Sequence, residues 1–322
     1  MLTVPKKIRP PPIMRSRLML ETVSELVAAD EWTNRQVMIL LRAQGDSEWK
    51  LRFFASDSPA SVDAVASGEA DIAICNPGGV LGMAMRGRGP YKKPLPLRAL
   101  MAFPQFDQLG FAVTAKTGLK TLADLKRTRY PLRVSLRGQP DHSVHLISNH
   151  VLSAYGMSFD DIVSWGGKVV YTEGMPYGPD RLGAVERGEL DAVWDEALPL
   201  FANESIALGM RFLGVDEPQL KALEADGLMR QAITNDEYPG LGETVWSVDF
   251  SGWPVFCLES APEDMIYYFC AALDNRRDRI PWWGGDGPMP LEKLCKDSRE
   301  APLYLPLHKG AERYWRERGY LP

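Results

Sequence analysis

One ten-residue pattern occurs twice in the chain. Residues 64–73 read AVASGEADIA and residues 184–193 read AVERGELDAV. Ala64/Ala184, Val65/Val185, Gly68/Gly188, Glu69/Glu189 and Asp71/Asp191 coincide at a constant offset of 120 residues. In each copy the spacing predicts a helix ended by glycine, which takes the left-handed conformation without steric cost. A tight turn follows, and an aspartate opens a short apolar strand. A common helix–strand connection used twice is the plain reading. The sharper one is a chain of two similar α/β lobes, each with this unit in the same place and with a cleft between them.

The surrounding pattern fits lobes of that kind. Strands are expected at 17–23, 50–56, 71–75, 97–103, 110–116, 133–136, 168–173 and 191–195. Helices are expected at 32–43, 61–67, 121–127, 142–156 and 181–188. Strand–helix alternation points to an α/β protein with largely parallel sheets. In such sheets ligands bind beyond the carboxyl ends of the strands. The residues just past each strand are therefore candidates: Ser56, Asp57 and Ser58, then Asn76 and Pro77, then Gln105. In the second half they are Arg137 to Ser143, Glu173 to Tyr177, and Asp195 with Glu196.

Composition narrows the classes. With 322 residues, 45% hydrophobic and 25% charged, the chain is an ordinary globular one of two domains or one large one. A net charge of -5 argues against nucleic acid as a partner. The basic residues concentrate only in a Pro-rich leader, Lys6 to Arg17. No stretch approaches the ~20 apolar residues of a membrane helix. Leu18 to Leu20 run at once into Glu21, too short for a secretory signal, so the expected location is cytoplasmic, or periplasmic if a leader has been removed. Cys75, Cys257, Cys270 and Cys295 form no CxxC pair, so neither zinc nor a disulfide framework is expected. His142, His145 and His150 share one expected helix but match no metal motif, so no metal and no cofactor are expected.

Three segments carry a family resemblance: SVDAVASGEADIAICNPGG, LRALMAFPQFDQLGFAVTAKTGLKTLADLK and RVSLRGQPDHSVHLISNHVLSAYG. Together with the ending APLYLPLHKGAERYWRERGYLP they resemble a type II periplasmic-binding-protein family, nearest to the TAXI-type solute-binding proteins of TRAP transporters and the related thiamine-precursor and nitrate/sulfonate-type receptors. The resemblance implies two Rossmann-like α/β lobes with a ligand cleft between them. Lobe I would be 1–112 plus 245–322 and lobe II 113–244, with GFAVTAKTG and GWPVFCLES as the crossings. It implies hinge closure on a small organic ligand carrying a carboxylate, no cofactor, and membrane permease subunits as partners. It leaves an oligomer open. The family opens with a Gly-rich turn after the first strand. RLMLETVSELVAADEWTNRQ has no glycine, so Thr22, Ser24 and Trp32 are expected to build that side.

The expected ligand contacts are then Ser24, Trp32, Ser56, Ser58, Asn76, Gln105, Arg137, Gln139, His142, Ser143, Tyr177, Asp195 and Glu196. Arg137 would hold a carboxylate in a fork. Trp32 and Tyr177 would stack on the ligand. Asp141 and Ser143 are the alternative caps of the helix they precede. A different class remains open: an enzyme on the same fold, a decarboxylase or hydrolase of a small aromatic or carboxylic acid. It would use His142 with Glu173 or Glu196 as acid and base.

Overall fold

Thr121 and Ser158 show how local chemistry starts elements here. Each hydroxyl accepts the amide of the residue three further on, and Asp124 and Asp161 bond back to the cap. The computed structural model describes residues 11–28, 36–42, 50–282 and 287–322. The chain divides into two compact units, Met1–Val37 and Met38–Pro322.

The first unit holds helix α1 (Pro11–Ala28). The strand expected at 17–23 is part of this helix instead. Arg, Leu, Met and Glu are good helix formers. Arg17 Nε bonds Glu21 one turn on at 3.2 Å, and Thr22 Oγ1 donates to Leu18 O at 2.9 Å. Leu18, Met19 and Leu20 are exposed.

β1 (Val37–Arg42), all but its first residue in the second unit, stands where a helix is expected over 32–43. A run as short as VMILLR reads equally well at either period, and neighbouring strands decide it. Then come β2 (Lys50–Ala55), α2 (Ala60–Ala66), β3 (Ile72–Ile74), α3 (Gly79–Arg86) and β4 (Leu97–Phe103). β5 (Gly110–Thr114), α4 (Leu122–Thr128), β6 (Arg133–Arg137), α5 (Ser143–Ala154) and α6 (Phe159–Ser164) follow. Next are β7 (Lys168–Thr172), α7 (Leu182–Glu186), β8 (Ala192–Asp195), α8 (Leu198–Ala207), β9 (Met210–Phe212) and α9 (Glu217–Asp226). β10 (Arg230–Ile233), β11 (Val245–Val248), β12 (Trp253–Leu258), α10 (Glu263–Asp274), α11 (Leu291–Leu294) and α12 (Lys309–Glu317) complete it.

The strands make two separate five-stranded sheets, ordered β1-β2-β3-β12-β4 and β7-β6-β8-β5-β9, with β10 and β11 as a small ladder. Each sheet is the centre of an α/β lobe. The sheets are mixed rather than largely parallel. β12 runs antiparallel to both β3 and β4, and β5 antiparallel to both β8 and β9. The chain crosses between the sheets in residues 104–109 and returns in 249–252. GFAVT is already a strand of the second sheet, and WPVFCL is one of the first. The two crossings run side by side. Phe250 N donates to Asp107 O at 3.1 Å, and Gly252 N to Gln105 O at 2.7 Å.

The repeat is structural. Gly68 and Gly188 both have φ +75°. Asp71 accepts Arg52 N, Nε and Nη2 at 2.8, 3.0 and 2.7 Å. Asp191 accepts the same three groups of Arg133 at 3.2, 2.8 and 2.8 Å. In each lobe the fork ties one strand near its start to the start of a parallel neighbour, β2 to β3 and β6 to β8. A main apolar core includes Leu81, Leu100, Val134, Ile147 and Trp315, and a smaller one gathers Val193, Phe201 and Phe212. All four cysteines are buried and free. No helix among the described residues is long and apolar enough to cross a membrane.

Candidate functional site

β6 and β8 are parallel neighbours, which sets Arg137 beside Asp195 at their carboxyl ends. Arg137 Nε donates to Asp195 Oδ1 at 3.2 Å, and its Nη2 donates to Glu196 Oε1. Arg181, at the start of α7, has no exposed surface. Its Nη1 donates to Asp195 Oδ2 and its Nε to Ser135 Oγ at 3.0 Å. Asp195 is thus gripped from both sides.

His142 is buried and caps α5. Its Nδ1 accepts the Val144 amide at 3.1 Å, so the proton of the neutral ring sits on Nε2, 3.7 Å from Glu196 Oε1. Burial, and then Arg137, push its pKa down to about 3. Neither Asp141 nor Ser143 is the cap.

Asp107 enters from the first crossing. Its carboxyl oxygens accept the amides of Gln108, Ala197 and Leu198 at 2.7, 3.0 and 3.1 Å. It caps α8 from outside, because the N-cap residue Ala197 has no polar side chain and sits at φ +62°. The Asp107 and Glu196 carboxyls lie within hydrogen-bonding reach of each other. Burial, and then Glu196, hold Asp107 well above its ordinary range; burial holds Glu196 up in spite of Arg137. Two carboxyls in contact away from water do not both ionise, so they titrate as a pair.

The lobes meet at the loops that follow β2 and β6. Gln139 Nε2 donates to Asp57 Oδ1 at 2.9 Å, and Ser143 N and Oγ donate to Asp57 O at 3.1 and 2.9 Å. Ser56 and Ser58, on either side of Asp57, are buried. Ser58 N bonds Ser56 Oγ at 3.1 Å, and Ala60 N bonds Ser58 Oγ at 3.2 Å.

The structure therefore joins Arg137, His142, Asp195 and Glu196 in one buried cluster. It sets Gln139 and Ser143 against the loop of Ser56 and Ser58. Asn76, at the end of β3, is half-buried, and its Oδ1 accepts no hydrogen bond from the described residues. Gln105 is half-buried in the first crossing and lines a cavity of about 430 Å³ with Phe106, Leu200 and Trp282. Glu173 and Tyr177 are exposed and stand outside the ionic cluster. Ser24 is exposed on α1, in the first unit. Trp32 lies outside the described residues. Among the described residues no group of three or more His, Cys, Asp or Glu side chains is arranged to hold a metal ion.

Arg181 and Asp107 carry as much of the geometry as any expected residue. Extending the repeat would have flagged Arg181. At the same offset it matches Ser61, and Asp195 matches Cys75. Asp107 has no local signal, since its partners lie about 90 residues away.

Comparison with known proteins adds a family and distant likenesses. A model described as NMT1-like family matches residues 47–319. The alkanesulfonate-binding protein SsuA from Xanthomonas axonopodis pv. citri is similar at 16% identity, over 82% of this chain and 71% of that one, with a TM-score of 0.29. The glycine/betaine/L-proline-binding protein ProX from Borrelia burgdorferi is similar at 16% identity, over 64% of each chain, with a TM-score of 0.36. The aliphatic sulphonate-binding SsuA from Escherichia coli is similar at 16%, over 67% of this chain and 58% of that one, with a TM-score of 0.30. This chain thus spans less than two thirds of the latter two, and likenesses this remote carry no inference about a ligand.

Proposed function

Because the chain belongs to the NMT1-like family, we propose that it is a periplasmic-binding-protein-like solute receptor, of the TAXI kind that serves TRAP transporters. It holds a small organic carboxylate between its two lobes and hands it to membrane permease subunits from the periplasmic side. One observation carries the reading. The loops beyond β2 and β6 touch directly, through Asp57 with Gln139 and Ser143, right beside Arg137. Residues beyond strand ends are where α/β folds bind small molecules. Arg137, which keeps some exposure at its partly buried guanidinium, is the group that meets the ligand carboxylate. Asn76, at the end of β3, offers an acceptor from lobe I.

The state of His142 favours binding over catalysis. A general base needs a free lone pair, and its Nδ1 is spent on the Val144 amide while Nε2 carries the proton. His142 serves as a neutral donor beside Glu196.

Thermal shift against a panel of organic and amino acids tests the reading. A ligand at a hundred times its Kd stabilises by about 2.7 kcal/mol. Arg137→Ala is expected to abolish the shift. A flat melting temperature across the whole panel would refute the assignment.

A further inference from the structure

Both guanidiniums at the lobe II strand ends already hold carboxylates. Arg181 is sealed in and grips Asp195. Arg137 holds Asp195 through Nε and Glu196 through Nη2. A ligand carboxylate gains Arg137 only by displacing one of these two. Asp195 is anchored by Arg181 as well, so Glu196 is the one that yields. Among the described residues, Arg137 is the only cation paired with Glu196. Once displaced, a buried Glu196 carboxylate would stand beside Asp107 and Asp195 with no counter-charge, which is strongly disfavoured.

We propose that the site takes up one proton with each ligand carboxylate. The ligand's carboxylate replaces that of Glu196 on Arg137, and Glu196 becomes a carboxylic acid. The inference rests on the solute-binding reading and deepens it. The step balances. The Arg137–Glu196 ion pair breaks, the Arg137–ligand ion pair forms, and a Glu196 O–H bond forms with a proton from the solvent. One negative charge and one positive charge enter, so the buried charge is unchanged.

The surroundings suit this exchange. Glu196 faces Arg137 from β6, Asp195 on β8, His142 at the start of α5 and Asp107 from the crossing. Arg181, at the start of α7, completes the cluster through Asp195. Asp57 acts on Arg137 from lobe I, and Tyr238 faces Asp107. His142 is neutral near pH 7 and supplies no compensating charge. Asp107 is placed to share a hydrogen bond with a protonated Glu196. Burial already holds Glu196 above its ordinary range with Arg137 in place, and losing Arg137 moves it further up.

Calorimetric titration of the intact protein with sodium acetate, hexanoate and benzoate, in phosphate and in Tris at pH 7.5, reads the proton directly. The expected heats differ between buffers by the ionisation of one proton per bound acid, and the Kd rises about tenfold per pH unit. Glu196→Gln, neutral from the outset, is expected to bind with equal heats in both buffers and a Kd flat in pH. Wild-type heats that are the same in both buffers would overturn the coupling and leave the solute-binding reading standing. No binding of any of the three acids, or binding untouched by Arg137→Ala, would overturn both.

Discussion

The two lobes share a foundation and differ at the rim. At the base, Asp71 with Arg52 and Asp191 with Arg133 form the same three-bond fork, below glycines of the same φ. At the carboxyl edge the same offset pairs Ser61 with Arg181, Cys75 with Asp195 and Asn76 with Glu196. Lobe I has a hydroxyl beside a thiol, with the thiol pushed up to about 12 by burial. Lobe II has a guanidinium on a carboxylate, both without exposed surface. The repeated unit builds a scaffold, while the residue four places past its opening aspartate sets the chemistry of the rim.

The largest test removes the ionic rim. Arg181→Met leaves Asp195 with a single cation in a dry site and is expected to cost about 3–5 kcal/mol in urea unfolding. Ser61→Ala, its counterpart, breaks one bond to Ser58 O at 3.3 Å and is expected to cost about 1 kcal/mol. Equal costs would break the contrast between the rims.

The return crossing, which joins the lobes, titrates in its own range. Burial raises Asp249 to about 6, although Tyr304 OH donates to it at 2.5 Å and opposes the rise. A raised carboxyl stabilises the fold fully below its unfolded pKa of about 4, and that stability is lost as pH rises through about 6. About 3 kcal/mol is therefore expected to disappear between pH 4 and 7, and Asp249→Asn is expected to flatten that limb. Stability that rises with pH in both proteins would refute this.

The forks at the base come next. Asp191 is more buried than Asp71, and Lys116 also holds it at 3.1 Å. Burial raises its pKa, but Arg133 and Lys116 outweigh that and keep it below the usual range. Its stabilisation is present above pH 4 and is lost as pH falls through its folded pKa. Asp191→Asn is expected to cost about 1–3 kcal/mol at pH 7. The more exposed Asp71→Asn is expected to cost under about 1 kcal/mol. The smallest effect is the most symmetric. Gly68→Ala and Gly188→Ala each put a side chain at φ +75° with no neighbour within 4 Å. Each is expected to cost about 1 kcal/mol from backbone strain alone. A large difference between the two would show that the repeats are not equivalent.

Much of this was legible along the chain. Short apolar runs bounded by Gly, Pro and Asp announce β3, β4, β6 and β8, and the polar residues at or just past the ends of β6 and β8 are Arg137, Asp195 and Glu196. Before residue 43 the local pattern points to the wrong element twice. RLMLETV opens with five helix formers in a row, and VMILLR is too short for periodicity to choose. Asp107 was invisible because capping a helix from a crossing is a relation between distant segments. His142 caps α5 through a contact two residues away, Val144 N on its Nδ1, while its approach to Glu196 is set by how β8 lies beside β6.

By itself, the order of residues determined two α/β units and the glycine–aspartate connection in each. Those features depend on φ preferences and on contacts a few residues apart. Only the tertiary structure decided that Arg137 is already held by Glu196 and that Asp107 sits beside them. Which buried charges share a dry space is set by how the sheets and crossings come together, and no local rule contains that information.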